Sequence, residues 1–350
     1  MISFYPGPSK LRAGVGDYLQ EAYASDILSC NHRSPEFVAV IAHAIEGIKT
    51  KLNIPQNYEV YFVNSATECW QIIAQSLVSE QSLHIFNGAF GQRWMEFTAL
   101  LGIKTRAQKF AIHEPLPVSS VSDADVICIT NCETSNGSYI SSAQIKSLRE
   151  ANPETLIAVD ATSCMAGVNL DFASADVWFA SVQKCFGLPS GLGIMVCSPK
   201  AIEKSKAINS RAYYNSMVRL HEKMQATQTN NTPNMLAIYL LGKVMQHSEP
   251  IESIENALRA RANRWRNFFT SSPHFKLLIE DEALASPTVI AVSGEGNEIK
   301  NIKINAKKSG LLLGNGYGAW ADNTFRIANF PAHTDGDLDL LLDFFKQQYQ

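Results

Sequence analysis

Between residues 35 and 200 the chain alternates short apolar runs with stretches of helical periodicity, and this alternation restricts the fold more than any other feature. The apolar runs lie at 58–63, 83–86, 126–130, 156–160, 177–182 and 193–197. Each has the length of a buried strand and is too short for a buried helix. Helical periodicity occupies 66–79, 90–101 and 141–150. Another helix opens at Ser34-Pro35, an N-cap followed by proline at the first helical position. Its apolar face comprises Phe37, Val38, Ile41, Ala44, Ile45 and Ile48. Strands alternating with helices predict an α/β fold with a mostly parallel sheet covered on both faces.

The pattern changes after about residue 235. One long helical region is predicted over 235–269, with Arg259, Arg261, Arg264 and Arg266 on its wet face. Short strands near 288–292 and 324–327 and a last amphipathic helix over 337–345 follow, which predicts a smaller α+β domain. The expected division is a large domain over 14–238 and a small C-terminal domain over 239–350, with residues 1–13 packing near the latter.

Composition sets limits on partners. A formal charge of −3 gives no electrostatic reason for a nucleic-acid or membrane-surface partner. No stretch approaches the roughly 20 apolar residues of a membrane span, and the N-terminus lacks a secretory signal pattern. The seven cysteines are odd in number, lie mostly in apolar segments and show no CxxC spacing. Reduced thiols in a cytoplasmic protein without a metal site are expected.

Chemistry concentrates at the strand ends. The run 177–182 passes through Gln183 into Lys184, and Gly187, Gly191 and Gly193 follow. A lysine held in such an interior tends toward a lowered pKa, as imine formation with an aldehyde requires. The strand over 156–160 ends in Asp160, a carboxylate suited to keeping a pyridine nitrogen protonated. Together they suggest a Schiff-base site for pyridoxal 5′-phosphate. Asn64-Ser65-Ala66-Thr67-Glu68 leaves another strand and opens a helix, so its backbone N–H groups and hydroxyls form an anion site for the cofactor's phosphate. Simple capping by Ser65 or Thr67 fits that stretch equally well. Phe90, in Asn87-Gly-Ala-Phe90-Gly-Gln-Arg-Trp94, is placed either to stack on a flat ring or to fill the core.

These residues carry a family likeness. Tyr5-Pro-Gly-Pro-Ser9, Asn31-His32-Arg33-Ser34-Pro35-Glu36-Phe37, Asn87–Trp94, Glu133-Thr134-Ser135-Asn136-Gly137, Val159-Asp160, Gln183-Lys184-Cys185 and Phe325-Arg326-Ile327 span nearly the whole chain. In combination the sequence resembles the class V aminotransferases, which carry pyridoxal phosphate on the fold of aspartate aminotransferase (fold type I). The resemblance implies that Lys184 bonds the cofactor and shuttles the substrate's α-proton. It further implies that Asp160 pairs with the pyridine nitrogen, Phe90 stacks on the ring, and Thr134 and Gln183 face its phenolic oxygen. Ser65, Ala66 and Thr67 would cradle the phosphate, and Arg326 would hold the substrate α-carboxylate through its two-pronged guanidinium. In the family an Asn-Thr-Pro-Pro stretch reaches across a dimer interface to the phosphate. Here the stretch is Asn231-Thr232-Pro233-Asn234, with asparagine for the second proline. A homodimer with shared active sites is implied.

Two branches of the family compete. Phosphoserine aminotransferases turn an N-terminal His-Arg pair toward the substrate phosphate, and His32-Arg33 matches it. Their second His-Arg pair, before the carboxylate arginine, is missing from the stretch 314–326. The segments around Phe90, Thr134 and Lys184 lean toward alanine–glyoxylate and serine–pyruvate aminotransferases. The positive match of His32-Arg33 ranks phosphoserine with 2-oxoglutarate first, an activity of serine biosynthesis. A cysteine desulfurase fits poorly, because the last cysteine, Cys197, lies within a strand and Gln183 precedes the lysine. Retention of Lys184, Asp160 and Arg326 argues against a non-catalytic relative.

Overall fold

The computed structural model describes residues 1–349. Its larger sheet has seven strands in the spatial order Glu59–Val63, Gly193–Cys197, Val177–Ser181, Leu156–Asp160, Val126–Thr130, Gln81–Phe86 and Lys104–Lys109. Gly193–Cys197 runs antiparallel to both neighbours, and the remaining pairings are parallel. The central strands are buried along their whole length, as expected where helices cover both faces. The six strands that share one direction therefore bring their carboxyl ends to one edge of the sheet. From Gln81–Phe86 the chain goes outward to Lys104–Lys109, then returns to Val126–Thr130 on the other side. Strand order reverses there, and such a crevice is where open α/β sheets take ligands.

A second, five-stranded sheet has the order Ile2–Phe4, Leu311–Asn315, Thr324–Ala328, Val289–Ser293 and Lys276–Leu277. The N-terminal strand pairs in parallel with Leu311–Asn315, joining the chain start to this sheet. Trp265, Phe269, Phe275, Phe325 and Phe345 form an aromatic core beneath it. Phe269 and Phe345 meet edge-on at 5.2 Å, and Phe325 stacks on Phe345 at 5.7 Å. Such pairs contribute about 0.5–1.5 kcal/mol beyond their area. Because side chains alternate along a strand, burying Phe325 and Ile327 in this core turns Arg326 to the opposite face.

The long helix predicted over 235–269 is two helices, Met235–His247 and Ile251–Thr270, separated at Ser248–Pro250. Pro250 has no N–H to continue the first helix and instead precedes the second. The first helix packs on Pro35–Lys51 and belongs to the larger core. The boundary expected at 238/239 thus cuts through it. The change of core falls within Ile251–Thr270, whose Ile251 joins the larger core and whose Trp265 and Phe269 join the smaller. Arg261 is not on a wet face: it is 7% exposed and donates to the carbonyl of His333.

Candidate active site

Lys184 lies just beyond the strand Val177–Ser181 and is buried. Its Nζ donates to Ser163 Oγ at 2.8 Å and to Thr134 Oγ1 at 3.0 Å, and those hydroxyls hydrogen-bond each other. Burial lowers the lysine pKa, and Arg326 pushes the same way against the opposing pull of Asp160. The N-terminal segment lies across the lysine stem. A Cβ on Gly7, where φ is +121°, would stand 2.8 Å from Lys184 Cε. Only glycine meets both the close approach and the backbone angle there.

Asp160, at the end of Leu156–Asp160, is buried and accepts from the Thr162 N–H at 2.9 Å. Burial raises its pKa; contacts with Thr162 and the charge of Lys184 oppose the rise. It makes no ion pair within 4.0 Å among the described residues. Phe90 stands in the first turn of Ala89–Leu100, with Lys184 Nζ 5.4 Å from its ring centre. The Tyr317 ring stacks on Phe90 at 5.1 Å. The phenylalanine is therefore part of the site and not of the core.

Glu133 fixes that first turn. Its buried carboxylate accepts from the N–H groups of Phe90 at 3.1 Å and Gly91 at 3.2 Å, and from Ser135 N–H at 3.0 Å. Burial raises its pKa, while these donors hold it down. Arg326 comes from the second sheet and is 3% exposed. Its Nε donates to the Asn315 carbonyl at 2.6 Å and its Nη1 to the Thr134 carbonyl at 2.8 Å. Burial lowers its pKa, against the opposing charge of Glu133. Nη2 has no protein acceptor among the described residues.

These side chains surround one cavity of about 390 Å³, whose walls include Ala66, Thr67, Phe90, Thr134, Asp160, Gln183, Lys184 and Arg326. Of the further residues on that wall, Thr130 carries a buried hydroxyl with no hydrogen-bond partner, while Trp70 and Thr162 bring their polar side-chain atoms toward Asp160. An unsatisfied buried polar group costs about 1–3 kcal/mol, so the cavity is built for a polar occupant. A buried amine, a buried carboxylate without a cation partner and an aromatic wall at the carboxyl ends of parallel strands fit the aldehyde, ring nitrogen and flat ring of pyridoxal phosphate.

Ser65 does not line this cavity; its hydroxyl caps the helix Ala66–Leu77 by accepting from Glu68 N–H at 3.1 Å. The Ala66 N–H instead donates to Ser181 Oγ at 2.7 Å. His32, Arg33, Asn231 and Thr232 also stand outside the walls of the cavity in their own chain. They form a separate group, with Thr232 Oγ1 3.4 Å from His32 Nδ1. Sequence reasoning missed Ser163, Ser181, Glu133, Arg93 and Tyr317. Ser163 had a signal, since it follows Asp160 in the same short loop. The sequence carried none for the contact of Tyr317 with Phe90.

The sequence profile of the class V aminotransferases matches residues 104–318. The phosphoserine aminotransferase of Rhodococcus jostii (strain RHA1) is 27% identical over 348 residues, covering 96% of this chain and 91% of the relative. That of Corynebacterium glutamicum (strain R) is 26% identical over 358 residues, with coverage of 96% and 91%. A solved phosphoserine aminotransferase from Cytophaga hutchinsonii superposes with a TM-score of 0.93 at 35% identity, covering 99% of this chain and 98% of that one. An alanine–glyoxylate aminotransferase from Nostoc sp. shares the fold, with a TM-score of 0.82 at 19% identity and coverage of 99% and 94%. With the profile covering well over half its length, the chain belongs to the class V aminotransferases.

Proposed function

We propose that this aminotransferase carries pyridoxal 5′-phosphate and exchanges the amino group of phosphoserine with a 2-oxo acid of the 2-oxoglutarate type. The observation that carries the transamination reading is the opening of Lys184, Asp160 and Arg326 onto one cavity. The phosphoserine reading draws on relatives of that name that align over nearly the whole chain.

When bound, pyridoxal phosphate supplies an aldehyde carbon for an amine and a ring that accepts electrons from the substrate α-carbon. The chain's own residues do the rest. Lys184 Nζ, whose pKa burial lowers, would take and return the α-proton. Thr134 and Ser163 fix its direction by accepting its hydrogens. Arg326, braced by the carbonyls of Asn315 and Thr134, turns Nη2 to the α-carboxylate. Asp160 would accept a ring N–H, Phe90 would wall the ring, and Gln183 with Thr134 would face its phenolic oxygen. Thr67, at a helix N-terminus, would hold the phosphate, with Ala66 on the same wall of the cavity.

The group of His32, Arg33, Asn231 and Thr232 acts in this proposal across a homodimer, each chain completing its partner's site. Free thiols throughout accord with a cytoplasmic setting. No described helix is long and apolar enough to cross a membrane.

Borohydride reduction of the cofactor-loaded protein followed by peptide mapping should label Lys184; a label elsewhere refutes its role. Adding phosphoserine, serine and alanine separately to the loaded protein, and following loss of the cofactor's absorption, tests the substrate. Phosphoserine should react fastest. Faster reaction with alanine or serine favours the second reading, alanine–glyoxylate or serine–pyruvate exchange. One observation speaks for that reading: the second His-Arg pair of the phosphoserine branch is missing from the stretch 314–326.

A further inference from the structure

The cavity has three cations on its walls: Lys184, Arg326 and Arg93. Lys184 is committed to Ser163 and Thr134, and Arg326 is braced by two carbonyls with one nitrogen left over. Arg93 differs from both. It projects from the helix Ala89–Leu100, is exposed, and makes no ion pair within 4.0 Å among the described residues. Among the described residues the side chain has one hydrogen-bond partner, the hydroxyl oxygen of Tyr317, to which Nη1 donates. Tyr317 in turn stacks on Phe90 and lies against the Arg326 guanidinium, 5.5 Å from its ring centre. The two guanidiniums thus stand one tyrosine apart, Arg326 against the ring and Arg93 at the hydroxyl.

Arg93 also stands at a junction. It lines both the main cavity and an adjoining one of about 360 Å³, where Lys109 is the other cation and no acidic residue lies on the wall. In the main cavity the one acidic residue on the wall is Asp160. A carboxylate or phosphate entering beyond Arg326 therefore meets positive charge and no competing acid. A guanidinium held only by a neutral hydroxyl has no counter-charge, and turning to an anion adds the attraction of opposite charges and a two-pronged geometry.

We infer that Arg93 reads the negatively charged far end of the substrate side chain, while Arg326 holds the α-carboxylate. The inference rests on the transamination reading and names the substrate class: amino acids whose side chain ends in phosphate or carboxylate. It supplies within one chain a distal cation that the stretch 314–326 lacks.

The test compares two unreactive ligands, glutarate and valerate, which share one carboxylate and chain length but differ in the far anion. Their binding to the cofactor-loaded protein and its Arg93→Gln variant is measured by tryptophan fluorescence, since Trp70 lines the main cavity and Trp320 the second. The substitution should weaken glutarate relative to valerate by about tenfold to a hundredfold, the worth of one charge-assisted hydrogen bond. Arg93→Lys should restore part of the difference. Equal weakening of both ligands, or no weakening of glutarate, overturns the inference. Should phosphoserine prove to be no donor for the native chain, the phosphoserine reading falls, and the glutarate-to-valerate ratio still decides the role of Arg93.

Discussion

Gly88 offers a sharp test of how the aromatic wall is held. Its backbone is extended, with φ −149° and ψ −175°, so any residue can adopt it and no backbone strain enters. The obstacle is space. A Cβ at Gly88 would stand 2.2 Å from Glu133 Cγ, 2.5 Å from its Cδ and 2.7 Å from Ser135 Oγ. Glu133 cannot simply swing aside, because Phe90, Gly91 and Ser135 all donate to its carboxylate. Overpacking costs about 1–3 kcal/mol, and losing one charge-assisted hydrogen bond about 1.5–3 kcal/mol.

Gly88→Ala should therefore destabilise the protein by about 3–5 kcal/mol, a large part of the roughly 5–15 kcal/mol that holds a typical domain folded. Urea denaturation of the variant, of Glu133→Ala and of the double variant completes a double-mutant cycle. Removing Cγ and Cδ of Glu133 removes the main clash, so the double variant should be about as stable as Glu133→Ala alone. A Gly88→Ala protein within about 0.5 kcal/mol of native, or penalties that simply add, would refute this account.

Arg326→Ala should lower kcat/KM by about tenfold to a hundredfold for every amino acid, because all share the α-carboxylate; a loss confined to one substrate would contradict that role. Lys184 predicts a pH trend in the cofactor-free protein. Its folded pKa is lowered by burial, so between that value and the ordinary lysine value of about 10.4 the unfolded chain binds more protons than the folded one. Native stability relative to Lys184→Met should then rise with pH across that window, and denaturation showing the opposite slope would refute the burial argument.

The reading of the larger sheet succeeded where strands are buried on both faces and failed where they are not. Val126–Thr130, Leu156–Asp160 and Gly193–Cys197 are apolar throughout, and their runs were visible in the sequence. The edge strand Lys104–Lys109, Lys-Thr-Arg-Ala-Gln-Lys, has no apolar run, because one of its edges faces water and charge guards it against stray pairing. Ile2–Phe4 and Leu311–Asn315 are short and pair from opposite ends of the chain, so no local pattern announces either. Arg261 was legible and misread. It lies four residues before the buried Trp265 and hence on the same face of the helix, which periodicity alone could have shown.

The site divides along the same line. Lys184 and Asp160 stood out because each is a charged residue at the end of an apolar run, and the fold puts such ends on one edge. Their supports are different in kind. Thr134 lies beyond one strand of the larger sheet, yet its hydroxyl accepts from Lys184 and its carbonyl accepts from Arg326. One residue thus joins the amine of one core to the guanidinium of the other. Tyr317, between two strands of the smaller sheet, likewise reaches Phe90 and Arg93 on a helix of the larger core. Such contacts depend on how two separately built cores meet. Residue type and spacing identify the groups that do chemistry at the end of a strand; the groups that hold them in register appear only once both sheets are in place.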